Sequence, residues 1–513
     1  MDGAKLKVRA RAGLFPALIG LNALAVLAFR HFVSLDGPMH LLHAAVLRDA
    51  LSGKVRAAEG MWVDVGSLDL NLGDLLLIGL SGLVHPFVLH KLLAVVAVTC
   101  VCMGAWRMAR AYERDLNAAW LLVLPCAFGF TLLLGLFHFL IAVGIAFAIS
   151  GWWVSRPSIR WHELLLLLLG CAVGTFAHKT GGALLLLLAG LHEAVLRACD
   201  AGAWRARWAA LPSWTAPVLA TSIVVSGLVA VAFRFSATPV IHPHEPHRPL
   251  WELITLRPLL LTDSIAERPL RITCGSAFIG LLAMAGWERR HSLRKPTPAD
   301  ALLLTAVILL LVSFIRTPKT ELLYVTDRAQ WLALLLTVCW LSVQRLPRTL
   351  TPIIALGILS LHTVRLVYIE RRMHGMEARD RAVLAAARSF QPGALVVPVV
   401  LDDDWLARHR TAYAAIGHDG ILFTGRDHLR FGWKTPPIHY LRNYVLSPEN
   451  NWGWIGQHIR KGIAPELRQV LVLDAADEAA LPAWRGLHGT LREDYALTCD
   501  EGYAQVWTRK TSP

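Results

Sequence analysis

The chain has 513 residues, 55% hydrophobic and 17% charged, with a formal charge of +14 and a mean hydropathy of +0.48. Soluble domains carry about 25% charged residues, so this composition excludes an ordinary soluble globule and points to a polytopic membrane protein with some soluble mass attached. The basic residues lie in short loops between apolar runs, the positive-inside pattern, and not on one phosphate-binding face, which argues against nucleic acid as a partner.

Lys5, Lys7, Arg9 and Arg11 place the N-terminus inside, and about Gly13–Phe32 is predicted to cross outward as an uncleaved anchor. An external loop over 34–71 follows, opening on Asp36-Gly-Pro-Met-His40. An aspartate where the chain leaves lipid needs a polar partner, a metal or a role. Pro38 suits the first turn of a helix. Asp36 is therefore expected to cap a short helix at the membrane surface, its apolar face formed by Leu41, Leu42, Ala45, Val46 and Ala50. An ordinary N-cap is the competing explanation. Leu72–Val84 is short for a span and reads as re-entrant, juxtamembrane or crossing.

Phe87–Trp106 is predicted to span, and Leu116–Leu134 with Leu136–Val154 to form a hairpin that carries His138. Glu163–Ala194 is too long for one comfortable crossing at about 1.5 Å per residue. It is split here into two short helices with His178 and Lys179 at an external break, beside Gly174, Gly181 and Gly182. Trp214–Phe233 leads to a second external loop, 234–271, whose His242, His244 and His247 read as a solvated Pro-rich segment more than a zinc site. Four further spans, Ile272–Trp287, Asp300–Ile315, Arg328–Val343 and Pro352–Tyr368, complete about 11 crossings. The turn between Phe314 and Arg328 gathers Arg316, Lys319, Glu321 and Asp327, and Arg328 either turns inward to hold an anion or pairs with Asp327.

From 371 to 513 the composition is that of a soluble α/β domain. Glu377–Phe390 reads as a helix, Ala394–Val400 and Val470–Leu473 as buried strands, and Tyr495–Thr498 with Tyr503–Thr508 as a closing hairpin. The expected fold is thus mainly α: a membrane helix bundle over 1–370 with a C-terminal extracytoplasmic α/β domain over 371–513. The eight cysteines are scattered and imply no disulfide framework. No P-loop, dinucleotide glycine fingerprint or Gly-x-Ser-x-Gly elbow is present.

The costly polar residues (Asp36, His40, Asp64, His178 and Lys179 among them) all fall on one side of this topology, as a shared external cavity would require. A lysine at a glycine-flanked helix break suits a phosphate or pyrophosphate head group, with a snorkelling lysine as the bland alternative. Five motifs in this order resemble the GT-C class of membrane glycosyltransferases over roughly residues 13–370. They are Asp36-Gly-Pro-Met-His40, Leu70-Asn-Leu-Gly-Asp-Leu-Leu76, Gly135-Leu-Phe-His-Phe139, Phe176-Ala-His178 and Pro318 through Arg328. His178-Lys179-Thr180-Gly181 is similar to the Thr-Lys-Gly break of aminoarabinose and mannosyl transferases of that class, with the residue order changed.

The resemblance implies a bacterial inner-membrane enzyme that moves a sugar from a polyprenyl-phosphate donor to an extracytoplasmic lipid, glycan or protein, with inversion. By that resemblance Asp36 would be the general base or would hold a divalent cation (Mg or Mn), with Asp64 as a second metal carboxylate. His40 would orient Asp36 or contact the acceptor. His178, Lys179, Arg328, Lys319 and His138 would bind the donor, with Lys179 and Arg328 neutralising charge on the departing phosphate. Two other classes compete. A transporter should show paired broken helices in two related halves, and the sequence has one break and no repeat. A non-catalytic assembly protein would use the C-terminal domain to bind partners.

Overall fold

The computed structural model describes residues 2–29, 32–51, 61–63, 72–212, 215, 253–254, 256–259, 265–290, 296–314, 325–347, 349–392, 394–402, 404–407, 409–416, 421–422, 431–433, 467–474 and 482–510. Asp64, Asp69, Arg316, Lys319 and the His242–His247 cluster lie outside the described residues. The chain divides into two compact units. One comprises Met1–Ala28 and Leu92–Arg371, the other Phe29–Lys91 and Arg372–Pro513.

The first unit is helical. Among the described residues of the whole chain, five helices are long and apolar enough to cross a membrane: Pro86–Tyr112, Phe137–Val154, Lys179–Cys199, Arg268–Arg289 and Thr351–Ala387. Shorter apolar helices run over Leu14–Ala28, Trp161–Ala177 and Asp300–Ser313. Glycines let these helices approach closely, as small residues do where helices meet in lipid. Gly104 on Pro86–Tyr112 faces Gly144 on Phe137–Val154, and a Cβ on either would overlap backbone of the other helix.

The predicted span Leu116–Leu134 is not one helix. It is broken into Ala118–Leu122, Val123–Ala127 and Phe130–Leu133, with Gly129 extended between the last two and Gly135 at φ 81°. Pro125 lacks the amide that would continue the ladder, and backbone groups freed inside lipid must find partners. They do. Trp331 Nε1 donates to the Cys126 carbonyl at 2.9 Å, and Arg365 Nη2 reaches the Pro125 and Phe128 carbonyls at 3.5 and 3.4 Å. The segment is apolar because it is buried among other helices, not because it faces lipid.

The second unit is discontinuous in sequence. Among the described residues its main sheet has five strands. We label strands in chain order: β1 Met61–Val63, β2 Leu395–Val400, β3 Ile421–Leu422, β4 Phe431–Trp433, β5 Leu467–Leu473, β6 Tyr495–Asp500 and β7 Ala504–Arg509. The order is β3-β2-β5-β7-β6, with β3, β2 and β5 parallel and β5, β7 and β6 antiparallel. The two buried strands and the closing hairpin expected from the sequence are all present, with Gly502 at φ 71° in the hairpin turn.

Two expectations are corrected in this unit, for 37–51 and 377–390, and one left open, for 72–84, is decided. The helix Gly37–Leu51 was expected to lay its apolar face on the bilayer. Instead Met39 and Leu42 are buried in one core with Val383, Ala386, Val396, Ala412, Leu471 and Val506. The Gly37–Leu51 helix therefore shares the hydrophobic core of the C-terminal sheet, and β1, which follows it in sequence, pairs antiparallel with β4. Leu72–Val84, in turn, holds only the nine-residue helix Leu72–Leu80 before a turn. That is about 14 Å of helix, too short to cross. Arg48 ties it to the first helix by donating to the Ser81 carbonyl at 2.8 Å. The expected separate helix Glu377–Phe390 is the end of the 37-residue helix Thr351–Ala387.

Candidate functional site

In the second unit the chain enters the Gly37–Leu51 helix through Asp36, whose carbonyl accepts the His40 amide at 3.0 Å. Asp36 therefore stands at the cap position by its backbone, one helical turn from His40. Its carboxylate also meets the C-terminal segment. Asp36 Oδ1 lies 3.5 Å from His409 Nε2, with side-chain exposures of 15% and 19%. No local sequence signal links these two residues. The nearest hint is the basic run Arg408-His-Arg410 after the turn Trp405–Ala407, which reads as an ordinary loop.

The backbone that presents Asp36 is held from behind. Ser34, fully buried, shares a 3.0 Å hydrogen bond with His90 Nε2. His90 Nδ1 lies 3.4 Å from the hydroxyl of the buried Tyr413, which also donates to the Phe32 carbonyl at 3.5 Å. Gly37 is required here. A Cβ at that position would overlap the His90 ring and the Ser34 hydroxyl. Burial drives the Tyr413 phenol pKa well above its ordinary value, so this hydroxyl keeps its proton. His40 has a second neighbour that sequence reasoning left without a role. A ligand atom of Asp74, buried in the first turn of Leu72–Leu80, lies within 4.8 Å of one from His40.

Arg410, beside His409, is 1% exposed and forms a 3.0 Å ion pair with Asp380 while donating to the Met376 carbonyl at 2.9 Å. Burial pushes the Asp380 carboxyl up to about 6, against the pull of Arg410. The acidic run after β2 is structural. Asp402 accepts from Arg379 at 2.7 Å and from the Tyr503 hydroxyl at 2.6 Å, and Asp404 accepts from Arg372 at 2.7 Å.

In the first unit the expected helix break is present. Trp161–Ala177 ends and Lys179–Cys199 begins at His178, which has extended backbone (φ −169°, ψ 137°) and accepts the Thr180 amide on Nδ1 at 3.2 Å. Lys179 is exposed at the first position of the new helix. That end already carries positive backbone charge, a poor place for a cation and a good one for an anion.

Three aromatic contacts bring Arg328 to the same place as His178. The Phe139 ring meets His178 edge-on at 5.6 Å and Trp331 at 5.6 Å, and the Arg328 guanidinium sits over it at 5.6 Å. His138, next to Phe139, is buried. Asp327 takes a different cation from the one the sequence offered. It is buried and pairs with Arg257 at 3.0 Å.

The fold and these two clusters define a multi-pass helical membrane protein with a C-terminal α/β sheet. No protein-family model and no curated protein sequence matches the chain. Among solved structures, the crystal structure of ArnT from Cupriavidus metallidurans in the apo state is similar at 12% identity. The match covers 99% of this chain and 100% of that one, with a TM-score of 0.56. The chain thus has an ArnT-like fold along its whole length.

Proposed function

We propose that the protein is a membrane glycosyltransferase of the GT-C class. It would take a sugar from a polyprenyl-phosphate donor and pass it, with inversion, to an extracytoplasmic acceptor at the bacterial inner membrane. The whole-chain fold likeness to ArnT carries this proposal, because it agrees with a class suggested independently by the order of motifs. In the proposed reaction the acceptor oxygen attacks the anomeric carbon as the bond to the phosphate oxygen breaks, the lipid phosphate leaving with the electron pair. The acceptor proton passes to Asp36, a carboxylate being a suitable base near neutral pH. Lys179 and Arg328 would neutralise the phosphate, with His178 and His138 lining the donor site. Lys319 is proposed as a further donor contact on the sequence alone.

A divalent cation would be held through Asp36. Mg and Mn favour hard oxygen ligands, which fits the carboxylate, and Asp64 is the second carboxylate proposed for it. Its chemistry would be polarisation of the acceptor hydroxyl, and none of the steps above runs through it.

The test is label transfer from polyprenyl-phosphate sugars to a crude envelope acceptor by purified protein in lipid. Wild type should turn over, and folded Asp36→Asn should lose at least ~100-fold. Full activity in Asp36→Asn would remove Asp36 as the base and keep the class. No turnover by folded wild type with any donor would favour the partner-binding alternative.

A further inference from the structure

We infer that His409, supplied by the C-terminal segment, is a positioning residue for Asp36; this inference rests on the glycosyltransferase proposal. The imidazole Nε2 stands 3.5 Å from Asp36 Oδ1, and both side chains are mostly but not wholly buried. The distance is at the outer limit of hydrogen bonding, the state in which catalytic contacts are often found before substrate tightens them.

Each partner is fixed by its own buried support. Behind Asp36 stand the Ser34–His90 hydrogen bond and the close fit of Gly37 on the His90 ring. Beside His409, Arg410 is locked to Asp380 and to the Met376 carbonyl. The His409 carbonyl accepts the Ala412 amide at 3.1 Å. Tyr413, one residue further, binds both Phe32 and His90, joining the two supports across 381 positions of sequence. A carboxylate and an imidazole held in this way form a preorganised pair.

The chemistry gives the pair a use. With Nε2–H directed at Oδ1, the carboxylate would be held in one orientation toward the acceptor hydroxyl. As the acceptor oxygen bonds to the anomeric carbon and the phosphate leaves, the carboxylate takes the proton. His409 exchanges nothing with the substrate. It holds the base in one orientation, an effect worth about 10- to 100-fold in comparable supporting shells.

The test compares kcat, KM and Tm for wild type, His409→Ala and His409→Gln in the same reconstituted assay, with Asp36→Asn alongside. The expected result is a kcat about 10- to 100-fold lower in His409→Ala, with acceptor KM within about threefold and Tm unchanged. His409→Gln, which keeps an N–H donor, should recover part of that loss. Wild-type kcat in His409→Ala beside an inactive Asp36→Asn would overturn the inference and leave the glycosyltransferase proposal standing. A lower Tm that accounts for the loss, with no rescue by glutamine, would reduce His409 to a packing residue and also overturn it. Absence of turnover in wild type would remove both.

Discussion

The His178 break and the Asp36 loop are both helix N-termini that carry proposed chemistry, yet they are built differently. At His178 the backbone break is made locally, by an extended residue, a side-chain cap two positions on, and glycines on either side, with the Phe139 ring packed against it. The Asp36 loop takes its supports from far away, from His90, Tyr413 and His409, and its helix is buried in a core made largely by the C-terminal strands. A break of the first kind tolerates change elsewhere in the chain. A loop of the second kind is only as stable as the C-terminal segment that covers it.

The largest expected effect tests that dependence. Arg410→Leu strands the Asp380 carboxylate in the core of the second unit and should cost about 3–5 kcal/mol. Replacing both residues with apolar ones of similar size should recover most of it. Thermal melts of the two variants decide the matter, and an unchanged Tm in Arg410→Leu would mean that the pair carries no weight. Next in size, Gly37→Ala forces a methyl into the His90 ring. A loss of about 1–3 kcal/mol is expected, typical of an overpacked site, with faster proteolysis of the 29–91 segment as a second readout.

Lys179→Ala gives the opposite pattern. The side chain is exposed, so stability should move by no more than about 0.5 kcal/mol, while donor KM rises several-fold. A donor KM equal to wild type would sever Lys179 from phosphate recognition. The smallest effect concerns pH. Asp380 holds its proton up to about 6 in the folded protein, above the ordinary carboxylate value of 3.8. Between those values the native state binds the proton more than the unfolded chain does, so this residue makes stability fall as pH rises from about 4 to about 6. The slope of Tm against pH over that window should therefore be more positive in Asp380→Asn than in wild type. Identical slopes would rule the contribution out.

How much could be read beforehand differs between the two regions for the same reason. The break at His178-Lys179 was legible because helix length, glycines and a cation in an apolar run are local properties. Strands 395–400 and 467–473 and the final hairpin were legible because alternation and turn residues are local too. Leu41 and Leu42 were correctly placed on an apolar helix face, but what covers that face is not written in the helix. Hydropathy scores protein core and lipid alike, which is why the 37–51 helix looked interfacial and the broken 118–133 segment looked like a span.

The sequence by itself determined the membrane class, the positions of the five long apolar helices among the described residues, the Asp36 cap and the His178 break, while the expected span Trp214–Phe233 lies outside the described residues but for Thr215. Tertiary structure decided the rest. It joined Phe29–Lys91 to Arg372–Pro513, gave Asp327 to Arg257, brought Arg328 and His178 to the same Phe139 ring, and brought His409 to Asp36. Such pairings depend on which distant surfaces exclude water together, and burial is a property of the folded chain that no short stretch of residues carries.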